Sequence, residues 1–460
     1  MAASETRKPT SIIIGGGLAG LAAATRSIRH GITPTVLEKR GYLGGRAFSF
    51  TDRETGVVVD NGQHIFLGAC TNYTDFISEI GARGSIFEQE RLDVPALKNG
   101  VVSRLGWSRI PGMGMLPSLL RYRHLGMTGK LRVIYGMIRT RLTSRRKNAE
   151  ALNRQTFQSW LEDRGQNEST IANLWNLIVL PSLNDDVGDV SADAGLMLFQ
   201  TALMGSGRDA VIGYSRVGLS ELAGKHGMAY VTEHDGEIRL NTEVASLWFE
   251  GEALRGVRLA DGSTLEADTV ITAVPHFALG SLLPDGHQSL DSLAIAASLE
   301  TAPIVGIHIW YDRPILDEPF IAVLDSPLQF IFNVTAIHSD RSGAMEEPDG
   351  GQHVVISLSG AWRWAQMERR ELEEVFVREM SRAFSAASAE HVTRFLSVKQ
   401  VDATFRVTPG SNAARLPQKT AIPNLFLAGD WTDTDWPSTM ESAVKSGNLA
   451  ADAAAEHLSR

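Results

Sequence analysis

The chain has 460 residues, 43% hydrophobic and 21% charged, with a net charge of −9, 43 glycines and one cysteine. That length holds two or three domains with substantial cores, and the balance of apolar and charged residues excludes wholesale disorder. The lone Cys70 excludes an intrachain disulfide framework and a multi-cysteine zinc or iron–sulfur site; no metal is expected, and a reducing compartment fits. No apolar run approaches the roughly 18 residues of a spanning helix. The polar start, MAASETRKPT, leads straight into a strand and does not read as a secretory signal.

Residues 11–14 form a short apolar run, long enough for a buried parallel strand. Gly15-Gly16-Gly17-Leu18-Ala19-Gly20 follows at once, then a helical pattern that ends near Gly31, then a second strand ending in Glu38. Gly15 permits the tight turn, Gly17 lets backbone approach a pyrophosphate, and Gly20 lets the helix pack close to its strand. A helix opening at Leu18, Ala19 and Gly20 offers free N–H groups and a positive dipole end to phosphate. Glu38, beside Lys39, is placed to accept ribose hydroxyls. The unit predicts dinucleotide binding. There is no second glycine fingerprint, so no separate nicotinamide domain is expected.

Residues 55–67 read as a strand pair carrying Asp60-Asn61-Gly62-Gln63-His64, and a polar cluster with glycine in an apolar strand marks close approach to a ligand. From 94 to 149 there is no Asp or Glu, while twelve of the 44 Lys and Arg residues fall there. Such one-sidedness in an acidic protein points to an anionic partner. Residues 128–142 fit a helix with Leu131, Ile134, Tyr135, Ile138 and Leu142 on one stripe and Lys130, Arg132, Arg139 and Arg141 at its edges; Trp107, Met113, Met115, Leu116, Leu119 and Leu120 add apolar residues upstream. Basic flanks around an apolar stripe describe a helix lying on an anionic membrane, through the segment around 104–147. No nucleic-acid motif is present, and nucleic acid is not an expected partner.

Residues 156–203 are helical in pattern, broken at Pro181 and at Asn184-Asp185-Asp186. Residues 238–274 are β-rich, with Asp261-Gly262 as a hairpin turn. Residues 301–309 and 353–359 read as strands of a second sheet, and 368–384 as an amphipathic helix with Leu372, Val375, Phe376 and Met380 on its apolar face. Near the end, 424–430 is an apolar strand closing in Gly429-Asp430, followed by a loop and a helix for which Ser438 and Glu441 form an S-x-x-E capping box.

The fingerprint, the Glu38-x5-Gly44-Gly45-Arg46 pattern and the Gly429-Asp430 strand together resemble the superfamily of FAD-dependent amine oxidases and carotenoid desaturases. The resemblance implies an α/β fold: a Rossmann-type FAD-binding domain with a discontinuous α+β substrate domain, the two-domain flavoprotein of amine oxidases. It places FAD-binding parts at 1–92, 208–280 and 413–460. Substrate-domain parts fall at 93–207, helical and basic, and at 281–412, a sheet. It also implies that Gly44 and Gly45 run close to the diphosphate with Arg46 neutralising it, and that Val244 packs on the adenine. Ala273 would end the strand returning to the FAD domain, and Asp430 would bond the ribityl or phosphate portion. The amides of Ser438, Thr439 and Met440 would face the flavin N1 and C2 carbonyl, with Gly62, Gln63 and His64 beside the flavin. Cys70 lies far in sequence from the C-terminal motif, so FAD is expected to be noncovalent.

The segments Asp60-Asn61-Gly62-Gln63-His64-Ile65-Phe66-Leu67-Gly68-Ala69, Gly429-Asp430-Trp431-Thr432 and Trp436-Pro437-Ser438-Thr439-Met440-Glu441 are more specific. They resemble the hydroxysqualene dehydroxylase family of squalene and hopanoid synthesis. That resemblance implies reductive removal of the hydroxyl of hydroxysqualene, a C30 isoprenoid alcohol, with hydride from reduced FAD meeting an allylic cation. His64 or Asp60 would donate the proton, Gln63 would position the hydroxyl, and Trp431 and Trp436 would shape the cation pocket. The enzyme would then be cytoplasmic, peripheral on the inner face of the cytoplasmic membrane, with its external electron donor unknown. Asp435 departs from the family, which has a small residue there. Two alternatives stay open: a carotenoid/phytoene-type desaturase or amine oxidase on the same fold, and a non-catalytic prenyl-lipid-binding protein.

Overall fold

The computed structural model describes residues 7–53, 56–284, 288–338 and 350–460. Its nucleotide half is built on a five-stranded parallel sheet in the order Glu237–Arg239, Thr33–Leu37, Thr10–Ile14, Thr269–Thr272, Leu425–Leu427. Both faces are covered, which is why Ile12, Ile13 and Ile14 are all buried and the strand has no polar side. The nucleotide helix Leu18–Arg29 and the C-terminal helix Met440–Leu458 pack together over this sheet. Both are rich in alanine at the contact, and Gly447 closes it: a Cβ there would lie 2.2 Å from the Ala19 carbonyl oxygen. At the far end Asp452 receives both Arg26 and His30, each at 2.6 Å.

The second half is a seven-stranded sheet in the order Val392–Phe405, Thr301–Tyr311, Gln352–Leu358, Gln329–Asn333, Phe320–Val323, Asp93–Lys98, Val101–Gly106. It is mostly antiparallel, drawing one hairpin from early in the chain and the rest from beyond residue 300. The amphipathic helix Arg369–Ala383 covers one face, with Leu372, Phe376 and Met380 packed on Val305, Ile307, Ile309, Val354 and Ile356. Strand alternation therefore sends Gly306, His308, Trp310, His353 and Val355 to the opposite face, toward the nucleotide half. The helices between 149 and 203 pack around Phe157, Trp160, Trp175 and Phe199, in a core continuous with that of both sheets.

Four expectations need correction. Only Asp60 of the polar cluster lies in a strand: Val58–Asp60 pairs with Ser49–Thr51, Ile65–Leu67 pairs with Ile212–Ser215, and residues 61–64 form the crossing between the two sheets. Pro181 does not break its helix, Asn176–Leu183; the end comes at Asn184, which sits at φ +56, where an asparagine is tolerated. The C-terminal helix is capped by Thr439, whose hydroxyl accepts from the Ser442 N–H at 3.2 Å, not by an S-x-x-E box. Lys130 is not at an exposed edge: it is buried and donates to the Leu120 carbonyl at 2.7 Å.

The tight helix pair generates a prediction. Gly447→Val drives a side chain into the Ala19 backbone and should cost about 1–3 kcal/mol in chemical denaturation. Gly280→Ala, where a Cβ meets nothing within 4 Å, should leave the midpoint unchanged.

Candidate active site

The phosphate cradle is made of backbone. Gly15 turns at φ +106, and its N–H donates to the Leu37 carbonyl at 2.8 Å; a side chain there would strike the Ala273 carbonyl. Gly44 and Gly45, at φ +104 and +64, lay a second turn beside Gly17, and the Gly44 N–H donates to the Gly16 carbonyl. The nucleotide helix has no side-chain cap and no acid in its first turn, although Leu18, Ala19 and Gly20 are buried. A buried helix start with uncapped amides calls for an anionic partner, and a diphosphate supplies one.

Glu38 is buried and fixes this turn: one carboxylate oxygen accepts from Gly16 N–H and the other from Arg40 N–H, both at 2.8 Å. The strand that starts at Val244 follows directly on Asn241 and Thr242, whose N–H groups donate to the carbonyls of Arg40 and Glu38. Val244 is buried beside the Glu38 end of the cradle. Lys39 is exposed.

The two ends of the chain meet at Asp430. Its buried carboxylate takes the Arg46 guanidinium on one oxygen and the Ser438 hydroxyl on the other. Burial opposes the charge, yet Arg46 and Ser438 hold the group below the usual carboxylate range. Arg46 is thus committed to Asp430 and to the Ala403 carbonyl at 2.9 Å, rather than lying free over the cradle. Ser442 donates to the Asp430 carbonyl, and Gly429, at φ +137, donates to Ser446. The short turn from 428 to 440 is therefore held from several sides, with Thr439 and Met440 at the start of the helix that follows.

Glu441 belongs to another helix. Its carboxylate accepts from the backbone of Asn72 and Tyr73 and from the Asn72 side chain, at 3.2, 2.8 and 2.7 Å, and so caps Thr71–Glu79 in place of a side chain at Cys70. Burial, with help from Glu441, pushes the Cys70 thiol up to about 12, so it is not a thiolate at neutral pH. Trp431 is buried and its indole donates to the Val274 carbonyl at 3.0 Å, which locks the ring into the sheet edge. Trp436 lies beside a cavity of about 170 Å³ with Arg145, Asp193 and Arg415. Asp435 is accounted for: it sits at φ +60, tolerated by aspartate, and pairs at 2.7 Å with Arg145, which also grips Asp193.

Of the expected reacting groups, Asp60 accepts on one oxygen from Ser49 Oγ at 2.6 Å and Leu219 N–H at 3.0 Å. His64 is half-buried, and its Nδ1 donates to the Gly62 carbonyl at 3.0 Å; burial lowers its pKa, which favours the neutral ring. Gln63 borders a small cavity that also contains His308 and His353. These two histidines were not singled out from the sequence. The available signal was a histidine in a run of apolar residues, Ile304-Val305-Gly306-Ile307-His308-Ile309-Trp310.

A Rossmann sheet with an uncapped phosphate turn, an acid closing it, and a partner sheet set against a polar loop define a flavin-dependent oxidoreductase. Residues 18–455 match the family described as flavin containing amine oxidoreductase, and the chain belongs to it. Its cofactor is FAD. The chain is 26% identical, over 96% of its length and 97% of the relative's, to a hydroxysqualene dehydroxylase of Sinorhizobium fredii. It is 25% identical, over 96% and 94%, to a 15-cis-phytoene desaturase of Synechococcus elongatus. Among solved structures, a cyclohexylamine oxidase of Brevibacterium oxydans superposes with a TM-score of 0.69 at 21% identity, covering 98% of this chain and all of that one, which shows the shared fold.

The tie at Asp430 is testable by pH. A carboxylate held below its ordinary value of 3.8 stabilises the fold fully above that pH, and the contribution is lost as pH falls through the depressed value. Asp430→Asn should lower the thermal midpoint at pH 7 and weaken FAD binding at least about tenfold, ~1.4 kcal/mol. The midpoint gap to wild type should close below pH 3.8.

Proposed function

We propose that this flavoenzyme removes the hydroxyl of hydroxysqualene, giving squalene, while resting on an anionic membrane surface. The observation that carries the reading is the outward face of the basic segment. The helix Met127–Leu142 buries Val133, Gly136 and Thr140, and turns Met127, Leu131, Tyr135, Ile138 and Leu142 to solvent, Leu142 at 74% exposure. Ile110, Met113, Leu116 and Leu120 extend the exposed apolar surface, and Arg109, Arg121, Arg123, Arg139 and Arg141 stand around it. A stripe that faces water rather than the core, in a segment whose own charges are all cationic, has the chemistry of a surface that meets anionic lipid. Each nearby Lys or Arg contributes about 1 kcal/mol on anionic lipid. Among the described residues no helix is long and apolar enough to cross a membrane. The proposal is of a protein lying on the membrane through this face, on its cytoplasmic side.

An isoprenoid substrate is supported by the relatives, whose names carry hydroxysqualene in one case and phytoene in the other. The polar groups around the small cavity, Gln63 from the crossing loop and His308 and His353 from the seven-stranded sheet, favour the substrate that bears a hydroxyl over a pure hydrocarbon. An amine oxidase framed by Trp431 fits less well, because that ring is tied into the sheet. When bound and reduced by an external electron donor, the flavin would supply the hydride that replaces the hydroxyl, which leaves with a proton as water. The protein's part is to seat the alcohol in an apolar channel, fix its oxygen, and keep water and nucleophiles from the carbon that loses it. Loss of the hydroxyl as water takes one proton, which His64 or Asp60 would donate, while Gln63 would position the hydroxyl. The domain division at 92, 207, 280 and 412 is part of this proposal, supported by the shared sheet of residues 93–106 and 301–405.

Two measurements test it. Chemically reduced holoenzyme supplied anaerobically with hydroxysqualene in anionic vesicles should yield squalene by mass spectrometry, and no squalene contradicts the reading. In flotation, wild type should rise with vesicles of anionic lipid and not with neutral ones. Replacing Arg109, Arg121, Arg139 and Arg141 by glutamate should abolish this; unchanged flotation would refute the docking face.

A further inference from the structure

On the side of the seven-stranded sheet that faces the nucleotide half lies a cavity of about 20 Å³, room for a single water-sized oxygen. Gly62 and Gln63 close it from the crossing loop, Val58, Val59, Val334 and Val355 form apolar walls, and Asp60, His308, His338 and His353 supply its polar side. Gly306 keeps the approach tight: a Cβ there would sit 3.5 Å from the Asn61 carbonyl oxygen and 3.6 Å from His308 Nε2.

His308 is only 1% exposed. Its Nδ1 lies 3.1 Å from His353 Nε2, and the His353 ring is stacked at 4.1 Å on Trp310, so the pair is held rigidly. One proton sits in that bond. If His353 donates it, His308 carries its own hydrogen on Nε2; if His308 donates it, Nε2 is a bare lone pair. Either way Nε2 is buried with no protein partner. Burial drives the His308 pKa down to about 3, which keeps the ring neutral in both arrangements. A carbonyl oxygen satisfies only one of them. A hydroxyl, which both donates and accepts, satisfies both, and Gln63 offers the same pair of functions from across the cavity. Among the described residues no group of three or more His, Cys, Asp or Glu could hold a metal ion, so His308 and its neighbours do not read as a metal site.

We propose that this cavity is a site for one hydroxyl oxygen, filled by water in the free enzyme and by the hydroxyl group of the substrate in the complex. The identity of that substrate rests on the dehydroxylase reading; the oxygen site does not. A built site of this kind discriminates strongly, because an analogue lacking the hydroxyl leaves buried polar groups unpaired.

The test uses the FAD-loaded full chain and two probes, hydroxysqualene and squalene in detergent micelles, with binding followed by the flavin absorbance. Wild type should prefer the alcohol at least about tenfold. His308→Leu should erase that preference while leaving squalene affinity as it was, and His308→Gln, which restores a donor and acceptor near the Nε2 position, should recover it. If His308→Leu fails to take up FAD, Gln63→Leu is read the same way. An unchanged preference in His308→Leu overturns the proposal, as does a high-resolution crystal structure of the free holoenzyme in which Nε2 touches only carbon. A wild type that makes squalene yet binds both probes equally refutes the site and spares the dehydroxylase reading. A wild type that prefers the alcohol without turning it over does the reverse.

Discussion

The buried carboxylate of Asp430 is the point on which the architecture turns. It lies in the last strand-to-helix connection of the chain, and its two oxygens are taken by Arg46 from the second glycine turn and Ser438 from the C-terminal loop. A buried charge of this kind is costly unless paired and bonded, and here both conditions are met. The consequence is that residues almost 400 positions apart, 384 for Arg46 and Asp430, share one small polar junction beside the phosphate cradle. The nucleotide half cannot close without its C-terminal segment.

Other polar groups add to this junction. Glu441, in the first turn of the C-terminal helix, caps the helix Thr71–Glu79 and so ties that helix to the Asp430 junction. Arg415 donates to the carbonyls of Thr432 and Trp436, at 2.6 and 2.7 Å, and holds the loop between Asp430 and Ser438 from beneath. Arg145 grips Asp193 and Asp435 together, which links the basic segment to the same loop. On the proposed function, the surface that meets lipid and the loop that frames the flavin site are thus joined by one ion-paired arginine. Arg145 is spent on this bridge, and Lys98 and Arg104 on pairs with Asp325, Asp93 and Glu318, so part of the basic segment is structural.

The backbone-made features were the most legible in sequence. Gly15, Gly17, Gly20 and Glu38 each have a local steric or electrostatic reason at a fixed spacing, and the structure places them around one turn. The central strands Thr10–Ile14, Thr269–Thr272 and Leu425–Leu427 read as apolar runs because both sides of the sheet are covered there, whereas the edge strand Glu237–Arg239 carries no such signal. Features that depend on distant partners were not legible. Glu441 looked like a cap for its own helix because the spacing to Ser438 matched, while the N–H groups that donate to it lie at Asn72 and Tyr73. Lys130 looked like an edge residue because helical periodicity says nothing of which stripe packs; the apolar one faces outward and the face with Val133, Gly136 and Thr140 is buried. His308 and His353 are separated by 45 residues, and only the antiparallel register of two strands brings them to 3.1 Å.

The central claim is one of direction: this site gives electrons to an alcohol rather than taking them from a hydrocarbon. The most direct measurement follows the flavin absorbance anaerobically in two parallel cuvettes, reduced holoenzyme with hydroxysqualene and oxidised holoenzyme with phytoene. The account predicts that the first flavin is reoxidised, with squalene formed in equal amount, and that the second does not change. Bleaching of the oxidised flavin by phytoene, with the reduced enzyme inert toward hydroxysqualene, would contradict it.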